Sequence, residues 1–258
     1  MMDSAILAVR GLTVTIAGIG VCRELDFSVA PGQCWAILGR NGAGKTTLLH
    51  TLAGLRMPVS GTISLEGQPL ATLPAREVAR IRGLLIQDDT DAFGATVLET
   101  AMIGRHPHLS RWQWESADDV RIARESLALM DIADAEKRDV RTLSGGERRR
   151  VALAALLTQQ PRLFLLDEPS SHLDLAHQLA VLRRLTALAR EQRRALVMVL
   201  HDVNLARRFC DHVLMLDRGT AVAGPAAELL TAERLSKIYG VALKTLGEGE
   251  DVFFVPGY

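Results

Sequence analysis

The sequence predicts an α/β fold: a largely parallel sheet with helices on both faces, opened by an antiparallel β edge and interrupted by an inserted α-helical subdomain. Three observations carry the prediction. A glycine-rich loop, Gly39 to Thr46, sits between a short apolar strand and a helical stretch. Between Leu163 and Asp217, apolar runs of strand length alternate with segments of helical period, as a parallel sheet with crossover helices requires. Between these two regions, Thr96 to Gln159 follows the helical period with few β-branched runs, which reads as an insertion.

Each element follows from local pattern. Leu7 to Ile16 alternates loosely, Gly18 and Gly20 break the alternation, and Val21 to Val29 resumes it, giving the antiparallel opening. Pro31-Gly32 turns into the buried strand Cys34 to Leu38, and after the glycine loop Thr46 to Leu55 is a helix. Pro58 to Gly67 and Pro74 mark a turn-rich edge, and Ala75 to Ile81 is a short helix leading to a strand at Leu84 to Gln87. Val120 to Met130 and Glu147 to Leu157 are the clearest segments of the helical stretch. Strand Leu163 to Asp167, helix Leu175 to Glu191, strand Ala195 to Leu200, helix Val203 to Cys210 and strand His212 to Asp217 follow. From Pro225 the tail carries two short helical pieces, separated near Thr231, and ends in the strand-like Val252 to Val255. The expected organisation is a single domain over residues 1–258, with a core at 1–94 and 160–224, a helical subdomain at 95–159 and a tail at 225–258.

A chain of 258 residues can bury a sizeable core, and 48% hydrophobic with 23% charged residues is an ordinary globular balance. The 30 Lys and Arg offset 30 Asp and Glu, so no global field points to nucleic acid or an anionic membrane, and any polyanion must be held locally. Cys22, Cys34 and Cys210 are widely spaced and form no CxxC pair, which argues against structural metal and disulfides and suits a reducing cytosol. No signal peptide is visible at Met1 to Ala5, and the longest apolar runs, Ala195 to Leu200 and Leu163 to Leu166, fall far below spanning length. Work at a membrane would leave the lipid-facing surface to other chains.

Three motifs carry chemistry. Gly39-Arg40-Asn41-Gly42-Ala43-Gly44-Lys45-Thr46 fits GxxxxGK[ST] without mismatch. Its glycines let backbone amides turn toward phosphate oxygens, the following helix offers its positive N-terminus, Lys45 brings charge to the β- and γ-phosphates, and Thr46 offers a hydroxyl to Mg²⁺. Placement after a strand and before a helix sets it apart from an ordinary glycine turn. The buried strand Leu163 to Leu166 ends by presenting Asp167 and Glu168 where open α/β sheets bind ligands. Asp167 is expected to hold Mg²⁺ through water, and Glu168 to orient or deprotonate an attacking water. A charged turn is the plain alternative, disfavoured by the phosphate loop upstream. In Leu143-Ser144-Gly145-Gly146-Glu147 small residues permit close backbone approach, Ser144 can donate to a γ-phosphate oxygen, and the helix beginning near Glu147 aims its dipole the same way. Ser144 also serves as the N-cap of that helix.

In this order the motifs resemble the ATP-binding cassette (ABC) ATPases over nearly the whole chain, with Leu143 to Glu147 matching the signature that closes over ATP held by a different subunit. The resemblance implies a P-loop NTPase (RecA-like) core. It makes Gln87 the Q-loop glutamine, which reaches metal and water and joins core to helical subdomain. It makes His201, at a strand end, the switch histidine on the γ-phosphate, and Ser171-His172-Leu173-Asp174 the D-loop between the two sites of a dimer. Catalysis then falls to Glu168, His201, Gln87 and Lys45. Nucleotide is held by Gly39, Asn41, Gly42, Ala43, Gly44, Lys45, Thr46 and Thr47, with Ser144, Gly145, Gly146, Glu147 and Asp174, and Mg²⁺ by Thr46, Gln87 and Asp167. The family usually stacks adenine on an aromatic residue near the end of the first strand; Ile16 or nearby Gly18 stands there, so the base rests on an aliphatic surface.

The resemblance narrows toward importer subunits for metal chelates such as ferric siderophores, haem or cobalamin. Gly104-Arg105-His106-Pro107-His108 with Arg111-Trp112, Leu200-His201-Asp202-Val203-Asn204-Leu205-Ala206, and Leu230-Thr231-Ala232-Glu233-Arg234-Leu235 carry it. It implies ATP and Mg²⁺ as cofactors and, as partners, a second copy of the chain, an integral membrane permease dimer and, indirectly, an extracytoplasmic substrate-binding protein, with no nucleic acid. It also implies a peripheral place on the cytoplasmic face of the inner membrane. His106 and His108, beside a proline and without a carboxylate or cysteine partner, read as loop residues. Arg148-Arg149-Arg150 offers no nucleic-acid stripe, because consecutive helix positions point in different directions and the chain is neutral; it reads as a solvated run, some of which could contact neighbouring protein. The acidic Asp88, Asp89 and Asp91 are a solvated loop or meet basic residues of a membrane partner. Two alternatives remain: a soluble ABC ATPase acting on ribosomes or DNA, which typically carries two cassettes or a long coiled-coil insertion, and a non-hydrolysing regulatory module, against which Glu168 and His201 stand.

Overall fold

The computed structural model describes residues 5–86, 94–110, 112–247 and 252–257. The chain opens as the antiparallel hairpin β1 (Leu7–Ile16) and β2 (Ile19–Val29), turned by the left-handed Ala17 and Gly18. After β3 (Cys34–Gly39) and α1 (Lys45–Leu52), β4 (Ser60–Leu65) and β5 (Gln68–Pro69) return to the hairpin and complete a four-stranded sheet, β2-β1-β4-β5. The turn-rich edge expected over Pro58 to Gly67 therefore contains a strand. Its outer half is exposed and only Ile63 and Leu65 are buried, so no full alternation marks it in the sequence.

After α2 (Ala75–Ile81) and β6 (Arg82–Leu85), three helices follow, α3 (Val97–Met102), α4 (Ala117–Leu129) and α5 (Gly145–Thr158). Each of the three starts on a capping box, Thr96 with Glu99, Ser116 with Asp119 and Ser144 with Glu147, satisfying first-turn amides that have no partner within the helix. Gly104 lies against the Ala155 carbonyl, where a side chain would clash with α5. Arg105 is buried, with Nε 2.7 Å from Asp119 Oδ1 and Nη1 donating to Thr158 O at 3.1 Å. His108 Nε2 is 2.8 Å from Gln159 O. Glycine, arginine and the second histidine of Gly104 to His108 thus join the helices of this region; Arg111 lies outside the described residues.

The remaining elements are β7 (Leu163–Asp167), α6 (Leu175–Glu191), β8 (Ala195–Val199), α7 (Val203–Phe209), β9 (His212–Asp217), β10 (Thr220–Pro225), α8 (Ala226–Leu229), α9 (Ala232–Tyr239) and the hairpin β11 (Leu243–Leu246) with β12 (Phe253–Pro256). The central sheet runs β10-β9-β3-β8-β7-β6, parallel throughout except for β10, which pairs antiparallel to β9 at the edge. Side chains alternate between two cores. Trp35, Ile37, Leu163, Leu165, Val197 and Leu214 face α1 and the antiparallel sheet. Ala36, Leu38, Phe164, Leu166, Leu196, Met198 and Val213 face the other way, toward α5, α6, α7 and α9. Strands buried on both faces read as continuous apolar runs, which is why β3, β7 and β8 were visible at once.

Candidate functional site

Register builds the site. Ile37 of β3 and Asp167 of β7 both stand opposite Val199 of β8, so three neighbouring strands end at one level. Two residues further on, β3 has reached Gly39 and the phosphate loop, and β8 has reached His201; β7 continues directly into Glu168. This is the carboxyl edge of a parallel sheet, where such folds bind ligands.

Backbone freedom shapes the loop. Gly39 (φ 152°) passes so near β9 that a Cβ would come within 2.8 Å of Leu216 O. Gly44 takes a left-handed φ of 92° as the N-cap of α1, and a Cβ there would meet Val21 Cγ2 at 2.6 Å. The antiparallel sheet thus presses directly on the phosphate loop. Lys45 is buried, its ammonium donating to Gly39 O at 3.0 Å and Arg40 O at 3.1 Å. Burial lowers its pKa, while the charges of Glu168 and Asp167 pull it back up. Asn41 is exposed, Gly42 is left-handed (φ 79°), and Ala43 and Thr46 are half-buried. Thr47 is buried in α1, where its carbonyl accepts the Thr51 hydroxyl at 2.8 Å.

Asp167 is fully buried. Its pKa is raised by that burial and further by the neighbouring charge of Glu168. Thr46 is close enough to oppose the shift, yet neither carboxylate oxygen closes a hydrogen bond of good geometry. A buried carboxylate with no donor costs free energy and calls for a cation. With the Thr46 hydroxyl beside it, the donor set is hard oxygen, and it fits Mg²⁺. Glu168 adopts a left-handed φ of 48°, uncommon for a residue with a side chain, and its Oε1 lies 2.5 Å from His201 Nε2. The sheet edge therefore brings together Lys45, Thr46, Asp167, Glu168 and His201. Gln87 lies outside the described residues.

The signature residues make their hydrogen bonds within their own turn and to Arg138. Ser144 caps α5, its Oγ accepting the Glu147 amide at 3.3 Å while Glu147 accepts the Ser144 amide at 2.7 Å. Arg138 braces Glu147 at 3.1 Å. Gly145 and Gly146 lie over the D-loop, where a Cβ on Gly146 would come within 3.1 Å of His172 O. Asp174 caps α6 by accepting the His177 amide at 2.9 Å. Ile16 ends β1 opposite Ile19, and both are exposed, forming an aliphatic pair.

One residue departs from its expected role. Arg149 is not solvated: it is 5% exposed, and its guanidinium donates to the carbonyls of Ile86 (2.7 Å), Asp167 and Glu168 (2.8 Å). It ties the helix that starts at the signature to the strand ends that carry the carboxylates. The signal was present, since Arg149 falls four residues before Leu153 and eight before Leu157 on the buried stripe of α5. Arg150 instead donates to Asp131 O at 2.8 Å on the surface.

A family model described as ABC transporter matches residues 22–171. The chain is 40% identical, over 92% of its length and 94% of the relative's, to the hemin import ATP-binding protein HmuV of Burkholderia ambifaria. It is 38% identical, over 93% of its length and 90% of the relative's, to the ferric enterobactin transport ATP-binding protein FepC of Escherichia coli K12. A solved structure described as an inward-facing conformation of a metal-chelate type ABC transporter superposes with a TM-score of 0.84 at 28% identity, covering 98% of both chains.

Proposed function

The chain belongs to the ABC transporter family and is an ATPase of it, and on that footing we propose that it energises uptake of a metal chelate, a haem, ferric siderophore or cobalamin, through a separate membrane permease. The observation that carries the chemistry is the meeting of Lys45, Asp167, Glu168 and His201 at three adjacent strand ends. The importer reading is supported by relatives bearing importer names over nearly their full length.

ATP would lie with its phosphates against the loop amides and the first turn of α1, and Lys45 would exchange its loop carbonyls for β- and γ-phosphate oxygens. Glu168 would accept the proton of the attacking water, and His201 would orient the Glu168 carboxylate beside the γ-phosphate. Thr46 and Asp167, with Gln87, are the residues that would hold Mg²⁺, which when bound neutralises charge on the phosphate oxygens. A second copy would bring Ser144, Gly145 and Gly146 against that nucleotide; the hydrogen bonds of Ser144 close within its own turn, so the turn is complete without the first copy. Among the described residues no helix is long and apolar enough to cross a membrane, which fits a peripheral subunit on the cytoplasmic face of a permease dimer served by a substrate-binding protein.

The test is phosphate release by the chain reconstituted in vesicles with a metal-chelate permease that co-purifies with it, with and without chelate-loaded binding protein. Stimulation by a loaded binding protein is the expected result. Steady phosphate release that no chelate stimulates would overturn the import reading and leave the ATPase.

A further inference from the structure

We propose that the C-terminal hairpin holds the switch histidine in place against Glu168, and that Asn204 is the positioning residue through which it does so; the proposal rests on His201 and Glu168 acting in hydrolysis. His201 follows the buried Leu200 at the end of β8, and Asp202 immediately starts α7, its Oδ1 accepting the amides of Asn204 at 2.7 Å and Leu205 at 3.3 Å. The place of α7 therefore fixes where the backbone leaving His201 must go. At seven residues α7 is too short to be stable alone, so its place comes from what packs on it.

Beside β3, α6 and α8, β12 packs on it, and β12 is the element that holds it by a side-chain hydrogen-bond pair. Asn204 Nδ2 donates to Phe254 O at 3.1 Å, and the Phe254 amide donates to Asn204 Oδ1 at 2.8 Å. Both halves of one side-chain amide are spent on the backbone of one residue, as an adjacent strand would spend them. Aspartate would keep the acceptor and lose the donor, and an aliphatic residue would lose both. The Phe254 side chain is 5% exposed and belongs to the same core as Leu200 and Phe209. The hairpin is anchored in turn to α9, where the Leu243 amide donates to Ser236 Oγ at 2.8 Å. Gly240, the left-handed cap of α9, faces the phosphate loop, and a Cβ there would lie 3.9 Å from Arg40 Nη1. One tail thus meets the phosphate loop and the helix that leads away from the histidine, and Asn204 is three residues from that histidine.

The experiment is steady-state phosphate release by the full-length chain as wild type, N204A, N204D, H201A and H201A/N204A, with ATP affinity from titration and folding from thermal melts. N204A and N204D are each expected to lower kcat about tenfold or more, as small misplacements of a reacting group do. KM for ATP should stay within about twofold. In the H201A background N204A should cost nothing further, because both act through one group. Wild-type kcat in N204A, or losses that multiply in the double variant, would overturn the proposal. So would equal loss of turnover and ATP affinity in N204D with a collapsed melt, the mark of a scaffold. Wild-type turnover in H201A would instead bring down the reading of His201, a result distinguishable from any outcome at Asn204.

Discussion

Asp167 is fully buried and neither of its oxygens closes a hydrogen bond, so its ionised form is a cost to the fold rather than a contribution. Its folded pKa is raised, so the stability given by the protonated form is full below about pH 4, the unfolded carboxylate value, and is lost as pH rises through the folded one. Asp167→Asn is accordingly expected to melt higher than wild type at neutral pH, by about 2–4 °C if it recovers about 1 kcal/mol, and to lose the extra melting shift that Mg²⁺ gives with ATP. A variant that melts lower and keeps its Mg²⁺ response would contradict this. Glu168→Gln keeps shape and removes the base; turnover should fall about a hundredfold or more with ATP binding retained, read by phosphate release beside titration. Lys45, Asp167 and Glu168 were legible because their chemistry is written in short spacings and strand ends. Arg149 was not, because a run of three arginines shows its direction only when phased against Leu153 and Leu157. The reciprocal bond of Asn204 with Phe254 spans 50 residues and leaves no local mark at all.

Among the elements, α4 and α5 are each held by one buried arginine reaching across sequence. Ser116 and Arg105 together hold Asp119 down to about 2, so its contribution is present above about pH 4 and is lost as pH falls through the folded value. Asp119→Asn should cost about 3 kcal/mol by denaturant unfolding, since it leaves the Arg105 guanidinium buried without its partner charge. Arg149→Met would free α5 from the carbonyls of Ile86, Asp167 and Glu168. The expected result is hydrolysis that falls further than ATP affinity, with a reduced Hill coefficient, because the signature would no longer sense the carboxylates of its own chain; an unchanged Hill coefficient would refute the link. Strands and helices of the central sheet were readable because burial on both faces or on one stripe imprints a period. β4 and β10 were not: β10 runs Thr-Ala-Val-Ala-Gly-Pro on an outer edge, where small residues and proline suffice and no apolar alternation is demanded.

At the scale of the whole molecule, the cluster around Lys45 and the signature at Ser144 belong to one chain, yet the proposed ATP site draws each from a different copy. A mixture of Lys45→Ala and Ser144→Arg chains should therefore regain hydrolysis that neither has alone, since one site in each mixed pair would contain an intact Lys45 and an intact Ser144; no recovery on mixing would dispose of the head-to-tail arrangement. The α/β class, the antiparallel opening and the helical insertion were readable because each rests on a long pattern. How the antiparallel sheet meets the phosphate loop was not, since it depends on a contact distant in sequence, Val21 against the bare Cα of Gly44. Val21 and Cys22 are both buried, and the pairing with β1 steps from Val14↔Cys22 to Thr15↔Gly20, so Val21 is the extra residue of a bulge; deleting it would leave a regular ladder with nothing against Gly44. A stretch outside the phosphate loop thus sets a length constraint on it: the chain without Val21 should bind ATP more weakly in titration although every loop residue is kept.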